Sequence, residues 1–254
     1  MRRDSAVTLP EIYIVRVGET TWDREGRQLG HLDSPITAKG VEQARTAGRV
    51  LRKVLPDRGA VCIEASPLGR AAHTAALLCA ELGLEPSALI VSPLLIDHDL
   101  GTWQGLTTTE IDAQYPGARL AREKDKWHYA VPGGESYADV HKRMQEWLAR
   151  ERSAQVTIAV THRMISRILQ GSYEGLTPEQ TLRRSHFQDR VYKLYDGRIE
   201  EIQNDATGSQ EPERAGKIPA HGADTPARSR GGRADGDSLR AAPVQAPPAR
   251  PMKS

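Results

Sequence analysis

Three apolar runs of this chain each lead into polar residues whose side chains suit phosphate. The run 12–15 meets Arg16, the run 60–63 precedes Ser66-Pro67-Leu68-Gly69-Arg70, and the run 156–160 leads to Thr161-His162-Arg163. Guanidinium forks match phosphate oxygens two at a time, so two of them with an imidazole make a sensible phosphate site. In open α/β sheets ligands gather beyond the carboxyl ends of the strands, which is where these residues would lie. Spacing alone leaves a second reading open, in which the arginines are simply solvated. Asp97-His98-Asp99 has the look of a metal cluster, but no second ligand group stands at a recognisable spacing. No metal and no other cofactor is expected.

The elements that must position these residues read as alternating strands and helices. Besides the three runs above, residues 89–91 have strand character. Val41, Ala44, Gly48, Leu51 and Leu55 share one helix face behind an N-cap at Thr37. Tyr137, Val140, Met144, Trp147 and Leu148 do the same behind Ser136, and Ala75, Leu78 and Leu82 mark a third helix ending near Gly83. This alternation predicts an α/β fold, a three-layer sandwich around a mostly parallel central sheet. Residues 191–195, Asp196-Gly197 and 198–202 predict a closing hairpin with a type I′ turn.

Composition divides the 254 residues into a domain (11–202) and a tail (203–254), and residues 1–10 ahead of the domain are expected to be a flexible N-terminus. The tail has no Phe, Trp or Tyr and is rich in Pro, Gly, Ala and Arg. It cannot bury enough apolar surface to offset its ordering entropy and is expected to be disordered. It carries eight Lys or Arg against six Asp or Glu, so the whole formal charge of +2 sits there. That is too sparse a basic block to point to nucleic acid. No membrane-length apolar run or cleavable signal is visible, and Cys62 and Cys79 form no CxxC pair. A cytoplasmic protein with reduced, buried thiols is expected. The oligomeric state is not legible.

Ordered motifs then narrow the reading. Arg16-Val17-Gly18-Glu19-Thr20 with Trp22 opens the series, followed by Gly30, Asp33-Ser34-Pro35-Ile36-Thr37 and Gly40-x-x-Gln43-Ala44. Ser66-Pro67-Leu68-Gly69-Arg70-Ala71 with Thr74 comes next, then the segment 95–105, Pro132-Gly133-Gly134-Glu135-Ser136 and Val160-Thr161-His162. Together they resemble the histidine phosphatase (phosphoglycerate mutase-like) superfamily. The short segment between Trp103 and Pro132 places the chain nearer its compact phosphatase branch. The resemblance implies a phosphoglycerate mutase-like fold and a pocket in which Arg16, Arg70 and His162 hold the phosphoryl group. It implies that Asp97, where a glutamate is usual, is the proton donor, with its shorter reach. It makes Asp23 a negative charge near the anion, Arg163 a cation that either adds a phosphate contact or blocks the pocket, and Glu19 an orienter of its neighbours. Trp127-His128-Tyr129 is read as either a small lid or an aromatic patch.

One departure dominates. The family's catalytic histidine position is Val17, and a valine has no lone pair with which to attack phosphorus. His31, which follows Gly30, and His98, next to Asp97, have no motif behind them as substitute nucleophiles and are expected at the surface. The resulting expectation is a protein that binds a phosphorylated small molecule or phosphoprotein but is impaired or inactive in phosphohistidine catalysis. An active, cofactor-independent phosphomonoesterase is the alternative, and a non-catalytic interaction module the third reading.

Overall fold

The computed structural model describes residues 11–55, 61–152 and 154–203. Six strands, β1 (Glu11–Arg16), β2 (Val61–Ala65), β3 (Leu89–Val91), β4 (Val156–Thr161), β5 (Arg190–Tyr195) and β6 (Arg198–Gln203), form one sheet in the order β3-β2-β4-β1-β5-β6. The first four strands are mutually parallel, while β5 runs antiparallel to both β1 and β6. Eight α-helices accompany the sheet among the described residues: α1 (Thr21–Glu25), α2 (Ala38–Val54), α3 (Gly69–Leu82), α4 (Thr108–Gln114), α5 (Ala118–Lys124), α6 (Tyr137–Leu148), α7 (Arg163–Glu174) and α8 (Pro178–Arg183).

The layering follows from the two-residue period of β1. Tyr13, Val15 and Val17 enter one buried cluster with Leu51 of α2 and Leu78 and Leu82 of α3. Ile12 and Ile14 enter the opposite cluster with Val140, Met144 and Trp147 of α6 and Ile168 and Leu169 of α7. Helices thus cover both faces, and every residue of β4, a central strand, is buried, as parallel sheets require. This is the three-layer arrangement that the alternation of runs predicts.

Local signals set the boundaries. Thr37 caps α2 by accepting from the Gly40 N–H at 3.0 Å. Ser136 and Asp139 form a reciprocal capping box at the start of α6, and Gly83 closes α3 in the left-handed conformation. Asp196 and Gly197 both have positive φ, 46° and 71°, as a type I′ turn demands. Strand β6 extends through Gln203, one residue past the expected domain end. The expectations for 1–10 and 204–254 lie outside the described residues.

One expectation is corrected, and one open reading is narrowed. Only Cys79 of the two free thiols is fully buried; Cys62 is half-buried. Trp127 packs into the α6–α7 core cluster and against the His141 ring at 5.6 Å. Of the two readings of that segment, packing is the one its geometry fits.

Candidate functional site

Parallel register brings the polar strand ends together. Arg16 stands opposite Thr161, and Ala65 opposite Val160, so β1, β4 and β2 deliver Arg16, His162 and Ser66 along one edge. The Ser66 N–H donates to the Val160 carbonyl at 3.0 Å, and the Ser66 hydroxyl lies 2.8 Å from His162 Nε2. Helix α3 starts three residues later and turns Arg70 into the interior, where it is 2% exposed.

The Arg70 guanidinium is held by four acceptors. Nη1 donates to the Leu32 carbonyl at 2.7 Å and to Asp33 Oδ1 at 3.1 Å. Nη2 donates to the Gly30 carbonyl at 2.7 Å and to Asp97 Oδ2 at 2.9 Å. Its Nε is buried without a hydrogen-bond partner. The loop 30–33, quoted above only as a motif, is therefore fastened to the site by Arg70. Asp33 is kept ionised: partial burial opposes the charge, but the bonds from Arg70 prevail and lower its pKa.

Asp97 reaches this point because the segment before it is pinned. The Thr161 hydroxyl donates to the Leu95 carbonyl at 2.9 Å. Arg143 of α6 donates to the carbonyls of Leu94 at 2.6 Å and Ile96 at 2.9 Å. Asp97 Oδ2 then lies 3.5 Å from His162 Nδ1, a nitrogen that is buried and makes no hydrogen bond. Burial works against the Asp97 charge, yet His162 and Arg70 overcome it and hold the pKa below the usual carboxylate range. Burial likewise dominates at His162, and despite the attraction of Asp97 its pKa falls to about 4. At neutral pH the pair is a carboxylate beside a neutral imidazole.

Val17 follows Arg16 with its side chain in the apolar cluster and 6% exposed. Its N–H donates to the Thr161 carbonyl at 2.9 Å, and its carbonyl accepts from Gln188 Nε2 at 2.9 Å. The chain then passes very close to α2: a Cβ on Gly18 would lie 2.3 Å from the Gly40 carbonyl oxygen, and one on Gly40 the same distance from that of Glu19. Both glycines are there for want of space. Glu19 ties this passage down, accepting from the Thr37 hydroxyl at 2.9 Å and from Lys39 Nζ at 3.1 Å.

Several single-residue readings change. The Asp23 carboxylate is engaged by the Thr20 N–H and hydroxyl, both at 2.8 Å, as the capping box of α1. Its charge stands at a helix start, where it is stabilising. His98 is not a surface residue: it is 3% exposed, with Nε2 2.7 Å from the Glu135 carbonyl and its ring against Tyr137. It points away from Asp97's partners because successive side chains of an extended segment alternate. His31 is half-buried at the pocket border, with Nε2 2.9 Å from the Asp97 carbonyl. Arg163 is exposed and places its Nε 2.7 Å from His186 Nε2. His186, Arg167 and Gln188 went unread in the sequence because they meet across an irregular stretch with no period to betray them. No metal-holding group of His, Cys, Asp and Glu occurs among the described residues.

Comparison with known proteins agrees with this architecture. A glucosyl-3-phosphoglycerate phosphatase of Mycobacterium tuberculosis is 40% identical over 139 residues, covering 54% of this chain and 58% of that protein. This chain thus spans less than two thirds of that relative's length. A 2,3-bisphosphoglycerate-dependent phosphoglycerate mutase of Afipia carboxidovorans is 31% identical over 180 residues, covering 68% of this chain and 85% of the other. The structure of a mycobacterial glucosyl-3-phosphoglycerate phosphatase with VO3 superposes with a TM-score of 0.63 at 28% identity, covering 76% of this chain and 97% of that one. The model of the histidine phosphatase superfamily (branch 1) matches residues 12–201, and the chain belongs to that family.

Proposed function

We propose that this chain binds the phosphoryl group of a small phosphomonoester between Arg16, Arg70 and His162, and that it lacks the phosphohistidine route. The observation that carries the binding half is two buried nitrogens, the Arg70 Nε–H donor and His162 Nδ1, a donor in the tautomer whose Nε2 accepts from the Ser66 hydroxyl. Arg70 Nε and His162 Nδ1 have no hydrogen-bond partner, on two side chains that flank the same Asp97 oxygen. Leaving a buried donor unsatisfied costs about 1–3 kcal/mol, and phosphate oxygens are the acceptors that arginine and imidazole N–H groups fit best. Helix α7 adds a partial positive charge at its start, where His162 makes no side-chain cap to the first turn.

The loss of the nucleophile rests on Val17, whose side chain belongs to the core cluster. Removing the nucleophile of a covalent mechanism costs on the order of 10⁶-fold in rate in the protease analogy. Positioning and charge neutralisation would leave a residual advantage of roughly 10³-fold over water. The competing reading is an active phosphomonoesterase, and the names of the mycobacterial relatives favour it. Those names also favour a small phosphorylated molecule over a phosphoprotein as the ligand. Two free thiols fit a reducing compartment, the cytoplasm. No helix among the described residues is long and apolar enough to cross a membrane.

Calorimetry with inorganic phosphate and vanadate, beside turnover of an aryl phosphate by the same preparation, tests both halves. Binding without turnover is the expected result. Turnover at rates ordinary for a phosphatase would transfer the function to the competing reading, and absence of binding would remove the pocket.

A further inference from the structure

The Gln104 side chain reaches across to the loop 30–33 with the acceptor end of its amide. Its Oε1 accepts from the His31 N–H and from the Leu32 N–H, the latter at 3.2 Å. Its Nε2 donates to the Gly101 carbonyl at 3.2 Å. Two backbone donors facing one oxygen fix which end of the amide is which. The residue carrying it is itself well anchored. Its N–H donates to the same Gly101 carbonyl at 3.2 Å, and Trp103 before it is buried in a cluster with Ile111 and Val131. After it, the Gly105 N–H donates to the Gln28 carbonyl at 2.8 Å, and the Gln28 N–H to the Leu106 carbonyl at 2.9 Å. The amide and the loop meet closely: a Cβ on Gly30, whose φ is 58°, would lie 2.6 Å from Oε1.

These bonds fall on the backbone that holds Arg70. The peptide unit joining Gly30 to His31 gives its N–H to Gln104 and its carbonyl to Arg70 Nη2 at 2.7 Å. Leu32 gives its N–H to Gln104 and its carbonyl to Arg70 Nη1 at 2.7 Å. A peptide unit is planar and stiff, so an amide that fixes the N–H on one side also fixes where the carbonyl stands on the other. Those two carbonyls are half of the acceptors that set the guanidinium plane, and with it the direction of the unpartnered Arg70 Nε–H. We infer that Gln104 is a positioning residue of the phosphate pocket: it holds the loop 30–33 from behind and so aims Arg70. Its own side-chain bonds go to backbone groups, and it acts on a bound phosphoryl group only through Arg70. The effect on binding rests on the phosphate pocket proposed above, while the effect on Arg70 does not.

The test compares Gln104→Met and Gln104→Glu with the unaltered full chain. Methionine keeps the length and loses the acceptor. Glutamate keeps the acceptor, and the Gly101 carbonyl still has the backbone N–H of residue 104. Two quantities are read: inorganic phosphate affinity by calorimetry, and the Arg70 Nε–H resonance of the free protein. Gln104→Met should weaken phosphate binding about tenfold, the scale of one hydrogen bond, and displace the Arg70 resonance. Gln104→Glu should return that resonance to its unaltered position. Its added charge bears on affinity by itself, so for this variant the resonance alone is read. A Gln104→Met protein that melts lower yet keeps both phosphate affinity and the Arg70 resonance has lost only stability, and overturns the inference. A resonance displaced as far in Gln104→Glu as in Gln104→Met overturns it too. One measurement needs no variant to fold: the His31 and Leu32 amides of the unaltered protein should exchange slowly with solvent, and exchange at the rate of an open loop overturns the tether. If inorganic phosphate fails to bind the unaltered protein, the pocket falls, and the Arg70 resonance still decides on Gln104. Displacement in Gln104→Met with return in Gln104→Glu upholds its role, and an unmoved resonance ends it.

Discussion

The Asp97 carboxylate meets the His162 imidazole at 3.5 Å, on the same oxygen that Arg70 bonds at 2.9 Å. This negative charge stands among the donors that a phosphoryl group would use, and its pKa is held below the usual carboxylate range despite burial, by His162 where that ring is protonated and by Arg70. It therefore opposes an incoming phosphate before it can serve as a proton donor. Two unit charges about 4 Å apart interact by about 4 kcal/mol at an effective dielectric of 20. Asp97→Asn keeps an acceptor for Arg70 and removes the charge. Phosphate or vanadate affinity should rise at least tenfold, measured by calorimetry. Any aryl phosphate turnover should fall in the same variant if Asp97 is also the acid. Unchanged or weaker anion binding would mean that Asp97 does not compete for these donors.

Arg70 is as much a clamp as a ligand-binding group. Its partners at Gly30, Leu32, Asp33 and Asp97 join the loop 30–33 and the Asp97 segment to the start of α3. Truncation leaves those carbonyls and a nearly enclosed carboxylate uncompensated. Breaking one partner out of a buried pair costs about 3–5 kcal/mol, so Arg70→Ala should lower the denaturation midpoint markedly as well as abolish anion binding. Arg16 is half-buried at a strand end and tests the pocket more cleanly. Arg16→Ala should weaken phosphate binding by about 1.5–3 kcal/mol with little loss of stability. A stable Arg70→Ala variant would show that the clamp is dispensable.

What was legible in the sequence follows from what is local. The run 12–15, the caps at Thr37 and Ser136 and the Asp196-Gly197 turn each carry their own signal within a few residues, and all take the predicted form. Motif order also singled out Arg16, Arg70, Asp97 and His162; Arg16 and His162 stand at the ends of neighbouring strands, while Arg70 and Asp97 arrive from α3 and from the segment after β3. What could not be read are relations between distant segments. Asp33 bonds Arg70 across 37 positions, and His186 meets Arg163 across 23. His98 was expected at the surface because no motif stands behind it. Its burial depends on the Glu135 carbonyl and the Tyr137 ring, which no spacing near residue 98 announces.

Acid should loosen the fold in a defined window. His162 has its folded pKa lowered from 6.5 to about 4 and His186 from 6.5 to about 3. For each, the unfolded chain binds the proton more readily, so the stability from keeping the ring neutral is full above about 6.5 and is lost as pH falls. The loss grows until the folded pKa is passed, approaching about 1.4 kcal/mol per pH unit for each ring well inside the window. Asp97, with its pKa depressed, adds a loss of the same sign at still lower pH. Thermal melts between pH 7 and pH 4 should show a falling midpoint, and His186→Gln should flatten the slope. A midpoint independent of pH across that range would contradict the neutral buried rings.

Val17→His tests whether the site is complete apart from its nucleophile. The substitution introduces a ring nitrogen at the residue after Arg16, just past the end of β1. In the restored step that nitrogen attacks phosphorus, the phosphorus–oxygen bond to the alcohol breaks, and the leaving oxygen takes a proton. Water then hydrolyses the phosphohistidine and returns the imidazole. If the remaining groups stand as the geometry suggests, aryl phosphate turnover should rise by several orders of magnitude, since loss of a nucleophile costs on the order of 10⁶-fold. A phosphohistidine should be trappable on residue 17 after rapid quenching without acid. Val17 lies in the apolar cluster, so a thermal melt must first establish that the variant is folded. Adding Arg163→Gly should raise activity further, and non-additively, only if that arginine crowds the pocket. Its contact with His186 predicts instead that the second change leaves aryl phosphate turnover close to that of Val17→His alone. Turnover by the unaltered protein equal to that of Val17→His would end the lost-nucleophile reading. A folded variant that binds phosphate and still fails to form phosphohistidine would show that residue 17 no longer faces the phosphorus.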